Sequence, residues 1–373
     1  MPWAHPRARR CGLRALAAAA LACALHAGAR AAEPVLREAT ISGVEVGQPV
    51  AVAALAPDCP GLAAQRDAFR RRVAEPVRAW SQQQLAGGDY RRVLYPFSGP
   101  DVVTALSLFP QASHLVMVAD QVVERGMLER GGPPTPAQRA QECRTLAFFA
   151  RLGYFRTKDL MGAGGEKPRF LAMLLQQCAF AGLAVREVFA LEHSGPMQGY
   201  RSPRHPAGVR MVATDASGRA VTIDYLTVNL SDAGLAAQPL LIEALRAAAS
   251  DAAFVKAASH LLQRPQFSTV AGILVGAPRL IVQDETGLDI DRLTAGYDVR
   301  AYGSFAGFHP IWAGNASAVR LSQHLASAGV AGPLPFRLGY EKAAGSILLA
   351  GQRRGPSPDP TPPRPRGART ASE

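Results

Sequence analysis

Residues 91–120 constrain the fold more than any other stretch of the chain. Arg92 to Tyr95 is a short apolar strand. Pro96-Phe-Ser-Gly-Pro-Asp101 supplies the residues of a tight turn, and Val102 to Phe109 reads as a short helix that Pro110 ends. Asp101 or Ser98 is placed to cap that helix by accepting N–H bonds from its first turn. Leu115 to Ala119 is a second apolar run, closed by Asp120. Strand, turn, helix, strand is a βαβ unit. Such crossovers are right-handed, so the turn falls at the carboxyl edge of the sheet, where open α/β sheets bind ligands.

The flanking sequence extends this unit in both directions. Phe69, Val73, Val77 and Trp80 lie at helical spacing within 62–85, which predicts an amphipathic helix kinked at Pro76. Helices are also expected over 135–152, 167–182, 252–262 and 268–275. Strands are expected over 185–191 and 279–283, and 209–214 with 220–229 forms a hairpin around Asp215-Ala-Ser-Gly218. An apolar element broken by Gly339 and Gly345 spans 334–349. Long loops are expected near 193–208 and 285–312. Helices and strands alternate through most of this. The fold class is therefore α/β: a mixed sheet with helices on its faces and a Rossmann-like βαβ unit at 91–120.

The two ends belong to another regime. Arg7, Arg9, Arg10 and Arg14 give a positive start, the run from Leu13 to Leu25 is rich in Ala and Leu, and Ala29-Arg30-Ala31 follows. That is the pattern of a secretory signal peptide over residues 1–32, with an apolar run shorter than the about 20 residues of a membrane span. Ala20-Leu-Ala-Cys23 raises the rival reading of a lipoprotein anchored at Cys23, although it lacks Leu three positions before the Cys. Residues 351–373 are rich in Pro and Arg with almost no apolar side chain, which predicts a disordered tail. Residues 33–350 are left as one globular domain.

Much of the formal net charge of +12 sits in these ends. The first 32 residues hold five Arg and no acid, and the tail holds five Arg against Asp359 and Glu373. The body then has no basic stripe of the kind that marks a nucleic-acid binder. The expected location is exported, periplasmic or secreted, with no transmembrane span in the mature chain. Its expected partner is a small ligand or an envelope component. Cys59, Cys143 and Cys178 fit either one bridge and one free thiol or three buried thiols.

The chemistry-bearing residues are sparse. Asp120 follows Asp101 by 19 residues, matching the acid that dinucleotide sites carry about 20 residues beyond their first turn. The accompanying glycines are missing apart from Gly99, and Pro100 removes an N–H that a phosphate would use. The expectation is a degenerate frame, akin to methyltransferase scaffolds, without a cofactor. Only four of the 41 basic residues are Lys, and Lys158 beside Asp159 is singled out as a titratable ammonium that a Ser98 nucleophile would need as base. Asp284, Glu285, Asp289 and Asp291 cluster without the spacing of a calcium loop, so no metal site is expected. His260 is expected to pack within a helix. The histidines form no metal-binding spacing and no G-x-S-x-G elbow is present, which leaves the catalytic residues of a hydrolase unassigned. The tentative ligand-binding set is Tyr95, Ser98, Gly99, Asp101, Asp120, Lys158 and Asp284. The bland alternative is that Ser98, Gly99 and Asp101 only build the turn and cap.

Tyr95-Pro-Phe-Ser-Gly-Pro-Asp101 followed by Leu108-Phe-Pro110 resembles a motif of a family of exported bacterial proteins, some of them lipoproteins. Phe155-Arg-Thr-Lys-Asp159, Gln283-Asp-Glu-Thr-Gly287 and Leu338-Gly-Tyr340 are similar to later landmarks of that family, so the resemblance runs from about residue 90 to 350. It implies export. It carries over no activity, ligand or catalytic residue.

Overall fold

A computed structural model describes residues 44–50, 59–85, 88–120, 134–156, 160, 169–193, 206–312, 314–340 and 345–353. Residues 1–32, expected to be a signal peptide, Lys158 and the residues from 354 onward lie outside the described residues.

Five apolar segments form the parallel centre of one ten-stranded sheet. They are β2 (Arg92–Pro96), β3 (His114–Asp120), β6 (Ala220–Val228), β7 (Ala252–Val255) and β8 (Leu280–Gln283). Their spatial order is β6-β3-β2-β7-β8, all parallel. Each is buried on both faces, which is why each reads as a continuous apolar run rather than an alternating one. Val93 and Tyr95 point into one core and Leu94 into the other.

Antiparallel strands complete both sides. β1 (Val44–Pro49), β4 (Ala184–His193) and β5 (Pro206–Thr214) extend the β6 side, while β10 (Gly345–Arg353) and β9 (Tyr297–Phe305) extend the β8 side. β10 runs three residues beyond the expected tail boundary at 350. The chain starts the parallel set at β2, moves outward through β3 to β6, then crosses to β7 on the other side of β2. This is the Rossmann-like order 3-2-1-4-5, and its switch point lies beside β2.

Helices cover both faces. Over one lie α1 (Leu62–Phe69), α2 (Glu75–Gln84), α3 (Val102–Leu108), α4 (Pro136–Leu152) and α5 (Phe170–Phe180). Over the other lie α6 (Asp232–Ala236), α7 (Pro239–Ala249), α8 (Ser268–Gly276), α9 (Ile290–Gly296) and α10 (Ala316–Ala328). The expected kink at Pro76 is a π-helical turn, Arg70–Ala74, in which the Glu75 N–H donates to Arg70 O. Pro76 has no N–H for the carbonyl four residues back, and the widened turn just before it accommodates that loss. A Cys59–Cys143 disulfide ties the entry to α1 onto α4, and Cys178 is a buried free thiol.

Three expectations are corrected. Residues 252–262 are not a helix but β7 followed by a turn, because a four-residue run such as Ala-Ala-Phe-Val carries too few residues for periodicity to separate strand from helix. Residues 285–312 are not one long loop: α9 and β9 occupy most of it. His260 sits in a left-handed turn with φ 56° rather than in a helix. It is nevertheless packed, with its ring 4.2 Å from Phe308 and burial lowering its pKa to about 4.

Candidate functional site

The turn after β2 is pinned to its neighbour. Phe97 takes φ 57°, and the Ser98 N–H donates to Val118 O of β3 at 3.0 Å. Asp101 then caps α3, accepting from the Thr104 N–H at 3.4 Å. Its other oxygen accepts from the Tyr95 hydroxyl at 3.4 Å and from the Lys256 ammonium. Lys256 also donates to Gly153 O at 2.5 Å and to the Thr104 hydroxyl at 3.4 Å. Asp101 and Lys256 are each 2% exposed. Burial raises the Asp101 pKa, and the Lys256 ammonium opposes that rise. Burial also pushes the Tyr95 phenol well above its ordinary range, with the Asp101 and Asp284 carboxylates adding to it. The Asp101 charge is thus committed to a buried ion pair with Lys256, to which the Tyr95 hydroxyl donates. Asp101 lines the cavity, as a ligand role would require, but its charge is already paired.

Lys256 opens a second strained segment at the same sheet edge. Ala257, Ser259 and His260 all have positive φ, at 51°, 52° and 56°, a region costly for residues with a side chain. The Asp284-Glu-Thr286 stretch after β8 holds them there. The Ala257 N–H donates to Asp284, and the Ala258 N–H to the Thr286 hydroxyl, both at 2.7 Å. The Tyr340 hydroxyl bonds Ser259 Oγ at 2.9 Å and Ala257 O at 3.1 Å. Asp284 is fully buried and also accepts the Thr286 N–H at 2.9 Å, so it braces the turn and does not line the cavity. Among the residues expected to bind a ligand, Asp284 is thus placed behind the cavity wall rather than on it. Its neighbour Glu285 is pushed up to about 8, first by burial and then by the Asp284 carboxylate. Asp289 instead pairs with Arg320 at 2.5 Å. The four acids do not converge, and among the described residues no group of three or more His, Cys, Asp or Glu side chains is arranged to hold a metal ion.

A cavity of about 260 Å³ lies between these two turns, at the switch point. Ser98, Asp101, Asp120 and Lys256 line it together with an aromatic wall. Ser98 is 3% exposed, and its hydroxyl has no hydrogen-bond partner among the described residues. Asp120 stands at the end of β3, half-buried. One oxygen accepts the Leu230 N–H at 2.8 Å; the other takes no hydrogen bond among the described residues. Burial raises the Asp120 pKa, and the Leu230 bond only partly offsets this. The Tyr225 hydroxyl donates to Ser98 O at 3.4 Å, holding the floor. Gly99 also lines the cavity, but a Cβ there would lie 3.2 Å from Phe155 Cβ. Its missing side chain admits the Phe155 ring, and no phosphate cradle is built over the turn.

The structure therefore brings together Tyr95, Ser98, Gly99, Asp101 and Asp120 on the cavity wall, with Asp284 next to them but behind the wall, bonded to the Ala257 N–H; Lys158 lies outside the described residues. Sequence reasoning missed Lys256, Tyr154, Phe155, Phe170, Tyr225 and Ser259. Lys256 was within reach of it: the scarcity of Lys applies equally there, and Lys256 directly follows an apolar run.

Neither a protein-family model nor a curated protein matches the chain. Among solved structures it is similar to a precorrin-6y C5,15-methyltransferase from Geobacter metallireducens GS-15. That match has 11% identity and a TM-score of 0.29, covering 74% of this chain and 86% of that one. Among the described residues, no helix is long and apolar enough to cross a membrane.

Proposed function

We propose that this chain is a small-ligand-binding domain of the envelope, with its ligand seated in the cavity between the turns after β2 and β7. The observation that carries the reading is Ser98. A buried hydroxyl without a partner costs about 1–3 kcal/mol, and such groups are rare unless something else satisfies them. Here the unpaired group sits on the wall of a cavity at a sheet's switch point, where α/β folds bind ligands. The strained turn at 257–260, braced by four side-chain contacts, fits a pre-organised rim. The hydrolase alternative has less support, since no base bonds Ser98 among the described residues.

A thermal-shift screen of small metabolites tests the reading. Hits present at about 100 times their Kd should stabilise the wild type by about 2.7 kcal/mol. Ser98→Ala, which removes the hydroxyl without adding bulk, should lose most of that shift. Hits that stabilise both proteins equally would place the ligand elsewhere, and a screen with no hit at all would count against the proposal.

A second reading is favoured by Asp120. It ends the second parallel strand, where doubly wound folds keep the acid that accepts ribose hydroxyls. With Phe155 over Gly99, the ligand in that case would be a nucleoside without a bound phosphate; nucleosides among the hits, and nucleotides absent, would favour it.

Export rests on the Arg-rich start and Ala29-Arg30-Ala31, and the Cys59–Cys143 bridge supports it, because disulfides persist in oxidising compartments. N-terminal sequencing of the cellular protein is expected to begin near Ala32. Recovery of Met1 or Pro2 from cytosol would sink that expectation.

A further inference from the structure

We infer that the cavity selects a small organic cation. The inference rests on the ligand-binding reading and names the class of ligand. Among the described residues, three charged side chains line the cavity: Asp101, Asp120 and Lys256. Asp101 and Lys256 neutralise each other in a buried pair. What remains is one half-buried carboxylate, Asp120, which among the described residues has no ion-pair partner and a single hydrogen bond, from a backbone N–H. A carboxylate kept out of bulk water without a counter-ion is unfavourable, and a bound cation would relieve that cost.

The wall points the same way. Tyr95, Phe97, Tyr154, Phe155, Phe170 and Tyr225 all line the cavity. Aromatic rings attract cations through their quadrupole, and cages of aromatic side chains with a nearby carboxylate recognise alkylated ammonium groups. Lys256 does not compete with such a ligand, because its ammonium is spent on Asp101, Thr104 and the Gly153 carbonyl. An anion would meet the uncompensated Asp120 charge and the Phe155 ring that fills the space over Gly99. A small organic cation, with a hydroxyl or amine for Ser98, suits a space of about 260 Å³.

Isothermal titration with charged and neutral isosteres tests the inference on the intact protein. The probes are choline, agmatine and trimethylsulfonium, set against 3,3-dimethylbutan-1-ol, which is choline's neutral isostere, and 3,3-dimethylbutanoate. At least one cation is expected to bind at least tenfold more tightly than the neutral alcohol, and the anion not at all. Asp120→Asn keeps an oxygen for the Leu230 N–H, so its melting temperature should match the wild type while the cation preference disappears. Equal binding of cation and alcohol, or a preference that survives in Asp120→Asn, overturns the inference. If neutral or anionic hits from the metabolite screen bind through Ser98 and no cation does, the charge selection fails and the pocket stands. If nothing binds in either experiment, both fail.

Discussion

Replacing Lys256 by Met is expected to lower the stability of the protein by about 3–5 kcal/mol, because it leaves the Asp101 carboxylate buried without its counter-ion. The loss has three parts that act together. The ion pair goes, the Gly153 carbonyl loses its charged donor, and the tie between the β2 and β7 turns is cut. Asp101→Asn should be costly for the mirror reason. Asn is as good a cap for α3, so a capping role alone would predict almost no change, whereas a stranded Lys256 predicts a large one. The double variant Lys256→Met with Asp101→Asn should recover most of the loss, since no unpaired charge remains; the coupling is read from a double-mutant cycle. The pH dependence has a definite sign. Without Lys256 the largest opposition to the rise of the Asp101 pKa on burial is gone and only the Thr104 hydrogen bonds remain, so the folded state prefers the protonated acid more strongly than the unfolded state does. The variant's deficit should therefore be largest near neutral pH and shrink as pH falls toward the ordinary carboxylate range. Chemical denaturation that finds Lys256→Met within about 1 kcal/mol of the wild type would show that the pair is dispensable.

Removing the Cys59–Cys143 bridge is expected to cost nearly as much. The two residues are 84 apart in sequence, and closing a loop of that length removes about 4–5 kcal/mol of chain entropy from the unfolded state. For a domain of this size that corresponds to a fall in melting temperature of roughly 5–10 °C. Cys59→Ser, Cys143→Ser and the pair should behave alike, and a reducing agent should reproduce the effect on the wild type. Cys178 is buried against Met211 and should make no difference to the redox response. Titration of the denatured, unreduced protein should find one thiol among the described cysteines. Three would contradict the bridge and remove one support for export.

How far the sequence reaches depends on the distance over which a feature is encoded. The βαβ unit at 91–120 was legible almost to the residue, because its turn, cap and two apolar runs are local. β2, α3 and β3 fall where the pattern puts them. The hairpin was equally plain: the Asp215 side chain accepts N–H bonds from Ser217 and Arg219, and Gly218 supplies the positive φ that the turn requires. β9 was missed for a physical reason. Tyr297–Phe305 is the outermost strand, half its side chains face solvent, and Asp298, Arg300 and Ser304 make it read as a polar loop. The site was half legible. Tyr95 to Asp101 and Asp120 belong to the local unit. Lys256 meets Asp101 across 155 residues, and no spacing rule reports that pairing. Asp284 shows the converse error: an acid after an apolar strand looked like a ligand-binding group, yet it is consumed by the backbone of the neighbouring turn.

The structure of the protein with its best screening hit bound tests the central claim most directly. Ligand is expected in the cavity at the switch point, with a donor group in hydrogen-bond reach of Asp120 and a polar atom near the Ser98 hydroxyl. Ligand found instead in the separate groove between Arg66, Arg78 and Phe180, with the cavity beside Ser98 empty, would contradict the account.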